Sequence, residues 1–433
     1  MKILVIGGGG REYGIAKRLS EDPRVDKLYV LPGNGGISEF AECFDVKATD
    51  LDGVRDFVRE HPVDFAVVTP DDPLALGMAD LLRGMGVPCF GPSKAAARIE
   101  ASKIFSKNLM MKYSIPTAKA ESFDSFAAAS LYIAMAKYPV VVKADGLALG
   151  KGVFICRNHH EAVNALRELM EDRLFGASGE RVLVEEFLEG PEVTVLAFTD
   201  GRTIKPMVAS MDHKTAGEGG TGPNTGGMGV IAPNPFYTEE AAAECMEKIF
   251  LPTIRAMEEE GCPFTGCLYF GLMLTKDGPK VIEYNCRFGD PEAQTVLPLL
   301  ESNLLDAMLA TEEGTLDRTP VVLSNRAACC VVLASGGYPG KYEKGKPITI
   351  GKLGEGVHIV HAGTKKTEDG FVTAGGRVLN VIAAADSLKE AVAAAYEGVL
   401  KVGFDGMYVR RDIGRAALDY LDEKKAYDLL RRS

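Results

Sequence analysis

The sequence predicts a multidomain fold that combines α/β and α+β parts. Its 433 residues correspond to about three domains at roughly 150 residues each. Short apolar runs alternate with amphipathic stretches up to about residue 100, and glycine-rich loops and strands follow up to about 325. Beyond 325, three strands precede a helix. We therefore expect an N-terminal doubly wound parallel sheet, a central domain with a mobile lid, and a C-terminal α+β cap.

The N-terminal part shows a β-α-β-α-β order, which implies parallel strands joined by right-handed crossovers. Glycines follow the first two strands at 7–10 and 33–36. A ligand should lie at these carboxyl ends of the strands. The predicted strands are 2–6, 27–31, 64–68 and 88–90, and the predicted helices are 13–20, 51–60 and 74–85.

The rest of the chain is predicted in the same way. A helix over 239–260 should be kinked at Pro252 and closed by Gly261. The segment 210–236, rich in Gly, Pro, Asn and Thr, is interpreted as a long functional loop. Further helices are expected at 102–113, 123–137 and 388–400, and strands at 139–144, 153–155, 182–192, 266–275, 280–285, 327–334, 358–362 and 377–384.

Composition excludes several classes of protein. The net charge of −11 disfavours a general nucleic-acid binder, and no apolar run approaches the length of a membrane span. The N-terminus lacks the features of a signal peptide. The nine cysteines are scattered without a C-x-x-C pair, which favours reduced thiols in a cytoplasmic protein over disulfides or zinc.

The glycines at 7–10 do not form a dinucleotide-binding motif. The G-x-G-x-x-G register would need glycine at Glu12 or Tyr13, and the second strand ends without an acid for a ribose hydroxyl. Small residues before a helix still form an anion seat, because free N–H groups point outward there. A tight structural turn explains the same residues equally well.

The segment 145–152 indicates a nucleotide flap. It is not a Walker A motif, because no Ser or Thr follows Lys151 and the next element is a strand rather than a helix. A glycine-rich hairpin after Lys143 suggests main-chain amides that fold over a triphosphate, with the ammonium group meeting phosphate oxygens. An ordinary β-hairpin is the alternative.

The run 283–292 carries the strongest chemical signal. Because strand side chains alternate, Glu283 and Asn285 share a face, and two hard oxygen ligands suit Mg²⁺ that takes its other ligands from phosphates and water. Arg287 offers a planar fork for a carboxylate or acyl phosphate. A buried salt bridge between Arg287 and Asp290 is the alternative, although it leaves the oxygen pair unexplained.

Blocks over nearly the whole chain match one enzyme family. The runs 221–229, TGPNTGGMG, and 283–292, EYNCRFGDPE, are the most specific. The chain resembles the glycinamide ribonucleotide synthetase (phosphoribosylamine–glycine ligase) family of the ATP-grasp superfamily. Other matching blocks are 8–12, 32–34, 90–92, 102–103, 143–152, 185–188, 212–214, 336–340, 361–364 and 375–378.

The resemblance implies ATP-dependent ligation of glycine to 5-phosphoribosylamine through glycyl phosphate, the second step of purine biosynthesis. It implies a substrate domain at 1–101, an ATP-grasp domain at 102–325 with its lid at about 123–193, and a C-terminal domain at 326–433. The implied cofactors are ATP and Mg²⁺ or Mn²⁺. The partners are the two small substrates, without nucleic acid or membrane, and a monomer is favoured.

The resemblance also assigns residues. Glu283 and Asn285 should hold the metal, and Arg287, Asp212 and Lys214 are the catalytic candidates. ATP should be bound by Lys103, Lys143, Gly146, Gly150, Lys151, Gly152, Glu185, Phe187, Leu188 and Glu192, with adenine met mostly by main-chain groups at 185–188 and the ribose by Glu192. Substrates should be bound by Gly9, Gly10, Arg11, Glu12, Asn34, Thr225, Gly226 and Asp290.

Three departures from the family pattern stand out. Tyr13 replaces a common histidine, and the segment 69–74, TPDDPL, replaces G-P-E-x-P-L. The strand segment 269–273 lacks the additional metal-binding acid that many ATP-grasp enzymes carry. The alternatives are another ATP-grasp carboxylate–amine ligase, a catalytically silent binding module, and, least favoured, an NAD-dependent oxidoreductase.

Overall fold

The computed structural model describes residues 1–148 and 152–432. Its first part is a five-stranded parallel sheet, and the strands are β1 (Lys2–Gly7), β2 (Lys27–Pro32), β3 (Glu42–Cys43), β4 (Phe65–Val68) and β5 (Cys89–Phe90), in the order β3-β2-β1-β4-β5. Leu4 and Ile6 point into one apolar core and Ile3 and Val5 into another. Both faces of the sheet are therefore covered, which confirms the predicted doubly wound arrangement.

The helices of this part are α1 (Gly10–Ser20), α2 (Leu51–Glu60), α3 (Asp71–Leu76), α4 (Met78–Gly84) and α5 (Lys94–Ala101). The single helix predicted over 74–85 is wrong. The chain breaks at Gly77, whose φ of +97° lies in the left-handed region, so α3 ends there and α4 begins.

A second unit consists of one antiparallel sheet covered by helices. Its elements are α6 (Lys103–Lys112), β6 (Ala120–Phe123), α7 (Phe126–Ala134), β7 (Val140–Ala144), β8 (Val153–Cys156), α8 (His159–Leu166) and β9 (Val182–Glu186), with strand order β6-β9-β7-β8. Lys143 pairs with Val153 across β7 and β8, so the glycine-rich segment does connect a β-hairpin. Ile133, Val142 and Leu166 belong to a separate core that packs α7 and α8 on the sheet.

The third unit is a sheet in the order β11-β10-β16-β17. Its elements are β10 (Glu192–Asp200), β11 (Ile204–Pro206), α9 (Glu239–Cys245), α10 (Leu251–Glu259), β16 (Thr265–Thr275), β17 (Gly278–Asn285), α11 (Glu292–Val296) and α12 (Leu304–Glu313). The predicted 239–260 helix contains a π-helical turn at Met246–Phe250, immediately before Pro252. Strand β10 was not predicted, because seven of its nine residues are buried and no polar alternation marks it.

The predicted long loop at 210–236 contains four short strands. It contains β12 (Met211–Asp212), β13 (Thr215–Gly217), β14 (Thr221–Asn224) and β15 (Gly229–Ala232). The first and last of these join the C-terminal sheet, where β15 pairs with the strand Ala327–Ser335. The division predicted at 325/326 stays a prediction, and this sheet takes strands from both sides of it.

The C-terminal elements are β18 (Ala327–Ser335), β19 (Thr349–Ile350), β20 (Val357–His361), β21 (Thr364–Thr367), β22 (Gly370–Thr373), β23 (Arg377–Ala385), α13 (Leu388–Val399), β24 (Val402–Gly403), β25 (Met407–Tyr408) and α14 (Arg415–Arg432). Their main sheet runs β12-β15-β18-β23-β20, and β25 pairs with β18. Within the described residues, no helix has the length and apolar character needed to cross a membrane.

Candidate active site

Lys143 connects the β7–β9 sheet with β17. Its Nζ donates a hydrogen bond to the main-chain oxygen of Ile282 at 2.9 Å and lies 2.7 Å from a carboxylate oxygen of Glu185. Ile282 is the neighbour of Glu283, so the predicted phosphate-binding lysine and the predicted metal ligand lie at the same junction between the two sheets.

Glu185 is the centre of a buried ion-pair triad. Lys107 lies 3.0 Å from its second oxygen and also donates to the hydroxyl of Thr117. Burial alone would raise the pKa of Glu185, but the ammonium groups of Lys143 and Lys107 hold that pKa below its usual value. Both carboxylate oxygens of Glu185 are thus paired with lysines inside the protein. A nucleotide base at the segment 185–188 would therefore meet main-chain groups rather than this side chain.

Replacing Glu185 with glutamine is expected to destabilise the protein without removing a structural element. Two buried ammonium groups would lose their counter-charge, and breaking a buried pair in this way costs about 3–5 kcal/mol. We expect the melting temperature in scanning calorimetry to fall by roughly 5 °C or more. The neighbouring change Glu186→Gln is the control, because that side chain is half-buried and its ion pair with Lys280 spans 3.8 Å. Equal melting temperatures for both variants would contradict the triad.

The start of the glycine-rich segment is tied to the N-terminus of α6. The carboxylate of Asp145 accepts hydrogen bonds from the Ser102 hydroxyl at 2.8 Å and the Ile104 amide at 2.9 Å. The Lys103 ammonium donates to the main-chain oxygen of Gly146 at 3.0 Å, and burial lowers the pKa of Lys103. Lys103 therefore contacts the start of this segment, and its phosphate role stays a prediction.

The flap itself is described only in part. A Cβ at Gly146 would lie 2.5 Å from the Ser178 hydroxyl, so this position has no room for a side chain. The main-chain oxygen of Gly152 accepts from the Ala144 amide at 2.8 Å. The predicted ATP-binding residues Gly150 and Lys151 lie outside the described residues.

Glu283 and Asn285 lie on one face of β17, while Tyr284 between them is buried on the other. Burial would raise the pKa of Glu283, but the ammonium groups of Lys214 and Lys143 lower it to about 2. Glu283 is therefore ionised at neutral pH, with one carboxylate oxygen 3.1 Å from the Nζ of Lys214.

This donor set fits a magnesium ion. An ionised carboxylate and an amide oxygen on one strand face are hard ligands, and Mg²⁺ keeps waters or takes phosphate oxygens for the rest. Among the described residues there is no group of three or more His, Cys, Asp or Glu side chains that could form an all-protein site. Tyr269, on the facing strand β16, interacts with the Thr194 hydroxyl at 3.0 Å rather than supplying an acid.

Arg287 forms a salt bridge, but its partner is not the one that the sequence suggests. Its Nη2 lies 2.8 Å from a carboxylate oxygen of Glu100 and donates to the Asn285 side-chain oxygen at 3.1 Å. Glu100 also accepts from the Cys286 amide at 2.7 Å. The Nε atom of Arg287 is buried and has no hydrogen-bond partner among the described residues, whereas Nη1 and Nη2 are both bonded, so one N–H donor of the guanidinium is not used by the protein.

Lys214 lies between two carboxylates. Its Nζ is 3.1 Å from Glu283 and 3.4 Å from Glu192. Burial would lower the pKa of Lys214, but these carboxylates raise it, so the side chain stays charged. Glu192, the predicted ribose ligand, is exposed at the start of β10.

Asp212 lies near the buried carboxyl group of Glu292, which was not predicted as a site residue from the sequence. Burial and the charge of Glu292 raise the pKa of Asp212 well above its usual value. Its Oδ1 atom is buried without a hydrogen-bond partner in the part of the chain that the structure describes.

The turn after Lys214 is fixed by Thr225. The amide and the hydroxyl of Thr225 both donate to the main-chain oxygen of Lys214 at 2.8 Å, and the Gly227 amide donates to the same hydroxyl at 3.0 Å. Thr225 and Gly226 are thereby placed beside Lys214, as the substrate prediction requires.

The N-terminal candidates divide into main-chain and side-chain groups. Glu12 is 1% exposed and accepts hydrogen bonds from the Gly9 amide, the Arg11 Nε atom and the Thr69 hydroxyl at 2.6–2.7 Å. Arg11 donates through Nη1 to the main-chain oxygen of Phe288 at 3.0 Å. The Arg11 and Glu12 side chains hold this turn together, so a ligand could meet the main-chain groups of the turn more readily than either side chain.

Asp290 and Asn34 are also engaged within the protein. Asp290 accepts from the Arg11 amide at 3.3 Å and from the Gln294 side chain at 2.7 Å. Asn34 donates to the main-chain oxygens of Gly8 at 2.9 Å and His361 at 3.0 Å. These contacts bring the turns at 8–12, 33–37 and 288–290 together at the carboxyl ends of β1 and β2.

Tyr13, which departs from the family pattern, packs against the C-terminal unit. Its ring stacks on His361 at 5.8 Å and meets Phe40 edge-on at 5.3 Å. Five further residues that contact predicted site residues were not themselves predicted from the sequence: Glu100, Lys107, Glu292, Tyr338 and Arg377. Glu292, Tyr338 and Arg377 lie in blocks that match the family, whereas Glu100 and Lys107 carry no motif.

Three family models cover most of the chain. The model described as the phosphoribosylglycinamide synthetase N domain matches residues 1–100, the ATP-grasp (A) domain of the same family matches 101–293, and its C domain matches 328–416.

Known proteins are similar over nearly the full length. The phosphoribosylamine–glycine ligase of Caldanaerobacter subterraneus is 46% identical, and the alignment covers 95% of this chain and 99% of that protein. The crystal structure of phosphoribosylamine–glycine ligase from Thermotoga maritima matches with a TM-score of 0.84 and 32% identity, covering 95% of this chain and all of that one. A biotin carboxylase from Campylobacter jejuni shares the fold, with a TM-score of 0.74 at 12% identity and coverage of 94% and 93%.

Proposed function

Because this chain belongs to the phosphoribosylglycinamide synthetase family, we propose that it ligates glycine to 5-phosphoribosylamine with ATP. The products are glycinamide ribonucleotide, ADP and phosphate. The glycine carboxylate attacks the γ-phosphate and displaces ADP, giving glycyl phosphate. The amine of phosphoribosylamine then attacks the carbonyl carbon, phosphate leaves, and the nitrogen releases a proton.

The chemistry requires charge compensation, because a carboxylate, a triphosphate and a sugar phosphate meet in one crevice. Lys103, Lys143 and Lys214 supply ammonium groups around Glu283. Glu283 and Asn285 would hold Mg²⁺ or Mn²⁺, and a bound divalent ion neutralises phosphate charge.

We assign ATP to the crevice between the β7–β9 sheet and the β16–β17 pair. The main chain at 185–188 would meet adenine, since the Glu185 side chain is occupied by two lysines. Glu192 would meet the ribose. The flap at 145–152 would cover the phosphates and exclude water, which would otherwise hydrolyse the acyl phosphate.

We assign glycine and the acyl phosphate to the space bounded by Arg287, Lys214, Asp212 and the turn at Thr225–Gly226. Phosphoribosylamine would lie at the carboxyl ends of β1 and β2, against the turn at Gly9 and Gly10, whose Gly9 amide and carbonyl are bonded to Glu12 and Tyr13. The two sites adjoin because Arg11 bonds to the turn at 288–290, next to Arg287.

One observation carries this proposal. The Lys143 ammonium, which belongs to the flap-bearing sheet, is bonded to the main chain of β17 beside Glu283. The groups that we propose to bind phosphate and metal are thus adjacent across the junction of the two sheets.

The function is tested by measuring ADP and phosphate release with each substrate alone and with both. We expect release only when glycine and phosphoribosylamine are supplied together with Mg²⁺ and ATP. Turnover with a different carboxylate and amine, but not with this pair, would instead support another ATP-grasp carboxylate–amine ligase.

We also propose that the protein acts in the cytoplasm as a monomer on small molecules. All nine cysteines are free thiols in the structure, which suits a reducing compartment. The net charge of −11 does not suit nucleic acid as a partner.

A further inference from the structure

Arg377 is the first residue of β23 in the C-terminal unit. Its side chain contacts the main chain of the turn at Thr225–Gly226, where we propose that substrate binds. Its Nη1 donates to the main-chain oxygens of Gly226 at 2.6 Å and Asp290 at 2.5 Å. Its Nη2 lies 3.4 Å from a carboxylate oxygen of Asp290. One guanidinium therefore joins two turns that are distant in sequence and that both carry predicted substrate residues.

Tyr338 holds the other side of the same glycine. Its hydroxyl accepts a hydrogen bond from the Gly226 amide at 3.3 Å. A Cβ at Gly376 would lie 2.3 Å from the Tyr338 ring, so the absence of a side chain there lets the ring take this position. Both main-chain polar groups of Gly226 are thus bonded to side chains of the C-terminal unit.

Close packing ties the turn to these contacts. A Cβ at Gly226 would lie 2.9 Å from the Arg377 guanidinium carbon. Gly227 has a φ of +112°, and a Cβ there would lie 2.7 Å from the Oδ1 atom of Asp212. The turn is therefore enclosed between Arg377 and Asp212, and moving Arg377 would move the main chain beside Asp212.

The contacts of Arg377 indicate a role other than direct binding. Its Nη1 is used by main-chain oxygens, and its charge is offset by Asp290. Burial would raise the pKa of Asp290, but Arg377 and Arg11 hold it below its usual value. A lysine could not replace this geometry, because Nη1 meets the two main-chain oxygens while Nη2 lies beside the Asp290 carboxylate, and one ammonium group cannot occupy both positions.

We propose that Arg377, together with Tyr338, is a positioning residue for glycine: it sets the main chain of Thr225 and Gly226 from the C-terminal unit. The inference rests on the proposed function, which places glycine against this turn. It gives the C-terminal unit a part in substrate binding although neither side chain need touch the reacting atoms.

The test compares the KM values for glycine and for ATP in Arg377→Lys and Tyr338→Phe. We expect the KM for glycine to rise about 10- to 100-fold in the first variant and about 3- to 10-fold in the second, with the KM for ATP within twofold of the wild-type value. A merely structural role would lower the fraction of active enzyme, and hence kcat, with the KM for glycine unchanged.

Arg326→Lys is the matched control. Like Arg377, Arg326 donates to a main-chain oxygen, in this case that of Ala384 at 2.7 Å. Ala384 lies near the C-terminal end of β23 and the contact is exposed, whereas Arg377 is the first residue of the strand. The KM values of Arg326→Lys should equal those of the wild type.

An unchanged KM for glycine in folded Arg377→Lys and Tyr338→Phe would overturn the inference. If Arg377→Lys does not fold, Tyr338→Phe alone decides, because it removes one hydroxyl and keeps the ring. Failure of the wild-type protein to form ADP with glycine and phosphoribosylamine would instead refute the proposed function, so the two results are distinguishable.

Discussion

Glu283→Ala is expected to abolish ADP formation while leaving the fold intact. The change removes the ionised carboxylate of the proposed metal face and the partner of Lys214 at 3.1 Å. Loss of a metal ligand removes several kcal/mol of transition-state stabilisation, so we expect turnover to fall by about 10³-fold or more. The measurement is the rate of ADP release with both substrates at saturating ATP and millimolar Mg²⁺.

Glu244→Ala is the matched control for this variant. Both carboxylate side chains are 34% exposed and both pair with a lysine, but Glu244 lies on α9 and bonds to Lys248. The control should keep full activity. Because the pKa of Glu283 is about 2, the defect of Glu283→Ala should not vary between about pH 6 and pH 8. Full activity at physiological Mg²⁺, or loss of folding, would contradict the metal assignment.

Arg287→Lys is expected to slow ligation by about 10²- to 10³-fold with the protein still folded. A lysine can keep the ion pair with Glu100, but it cannot also bond to Asn285 and present a free Nε–H edge to a carboxylate or acyl phosphate. The values of kcat and of the KM for glycine, measured by ADP release, would show the loss.

Arg83→Lys separates this effect from the loss of an arginine salt bridge in general. Arg83, on α4, donates to both carboxylate oxygens of Glu312 on α12 and to the main-chain oxygens of Cys89 and Gly91. None of these partners belongs to the proposed site. We expect Arg83→Lys to lower the melting temperature and to leave kcat unchanged. A near-wild-type rate for Arg287→Lys would assign Arg287 to the salt bridge with Glu100 alone.

Much of the local structure follows from the sequence. Four of the five strands of the N-terminal parallel sheet, all except the two-residue β3, are as predicted, and so are the hairpin at Lys143 and the shared face of Glu283 and Asn285. These features depend on periodicities of two and 3.6 residues and on turn glycines, which neighbouring residues determine. The motifs of the candidate site can be recognised in the sequence for the same reason, since each occupies one continuous segment.

The partners of the charged residues were decided only by the tertiary structure. Glu100 meets Arg287 across 187 residues, and Arg377 meets Gly226 across 151, so no local pattern announces either contact. Two of the strands within 210–236, β12 and β15, are likewise defined only by their pairing in the C-terminal sheet.

The amino-acid sequence alone therefore indicated most groups of the candidate site and the segments that carry them, but not Glu100 or Lys107. The tertiary structure decided which of these groups bond to one another, as Glu185 does to two lysines, and which keep an unpartnered donor, as Arg287 does at Nε. The physical reason is that a buried charge needs a counter-charge, and packing over the whole chain selects which distant residue supplies it.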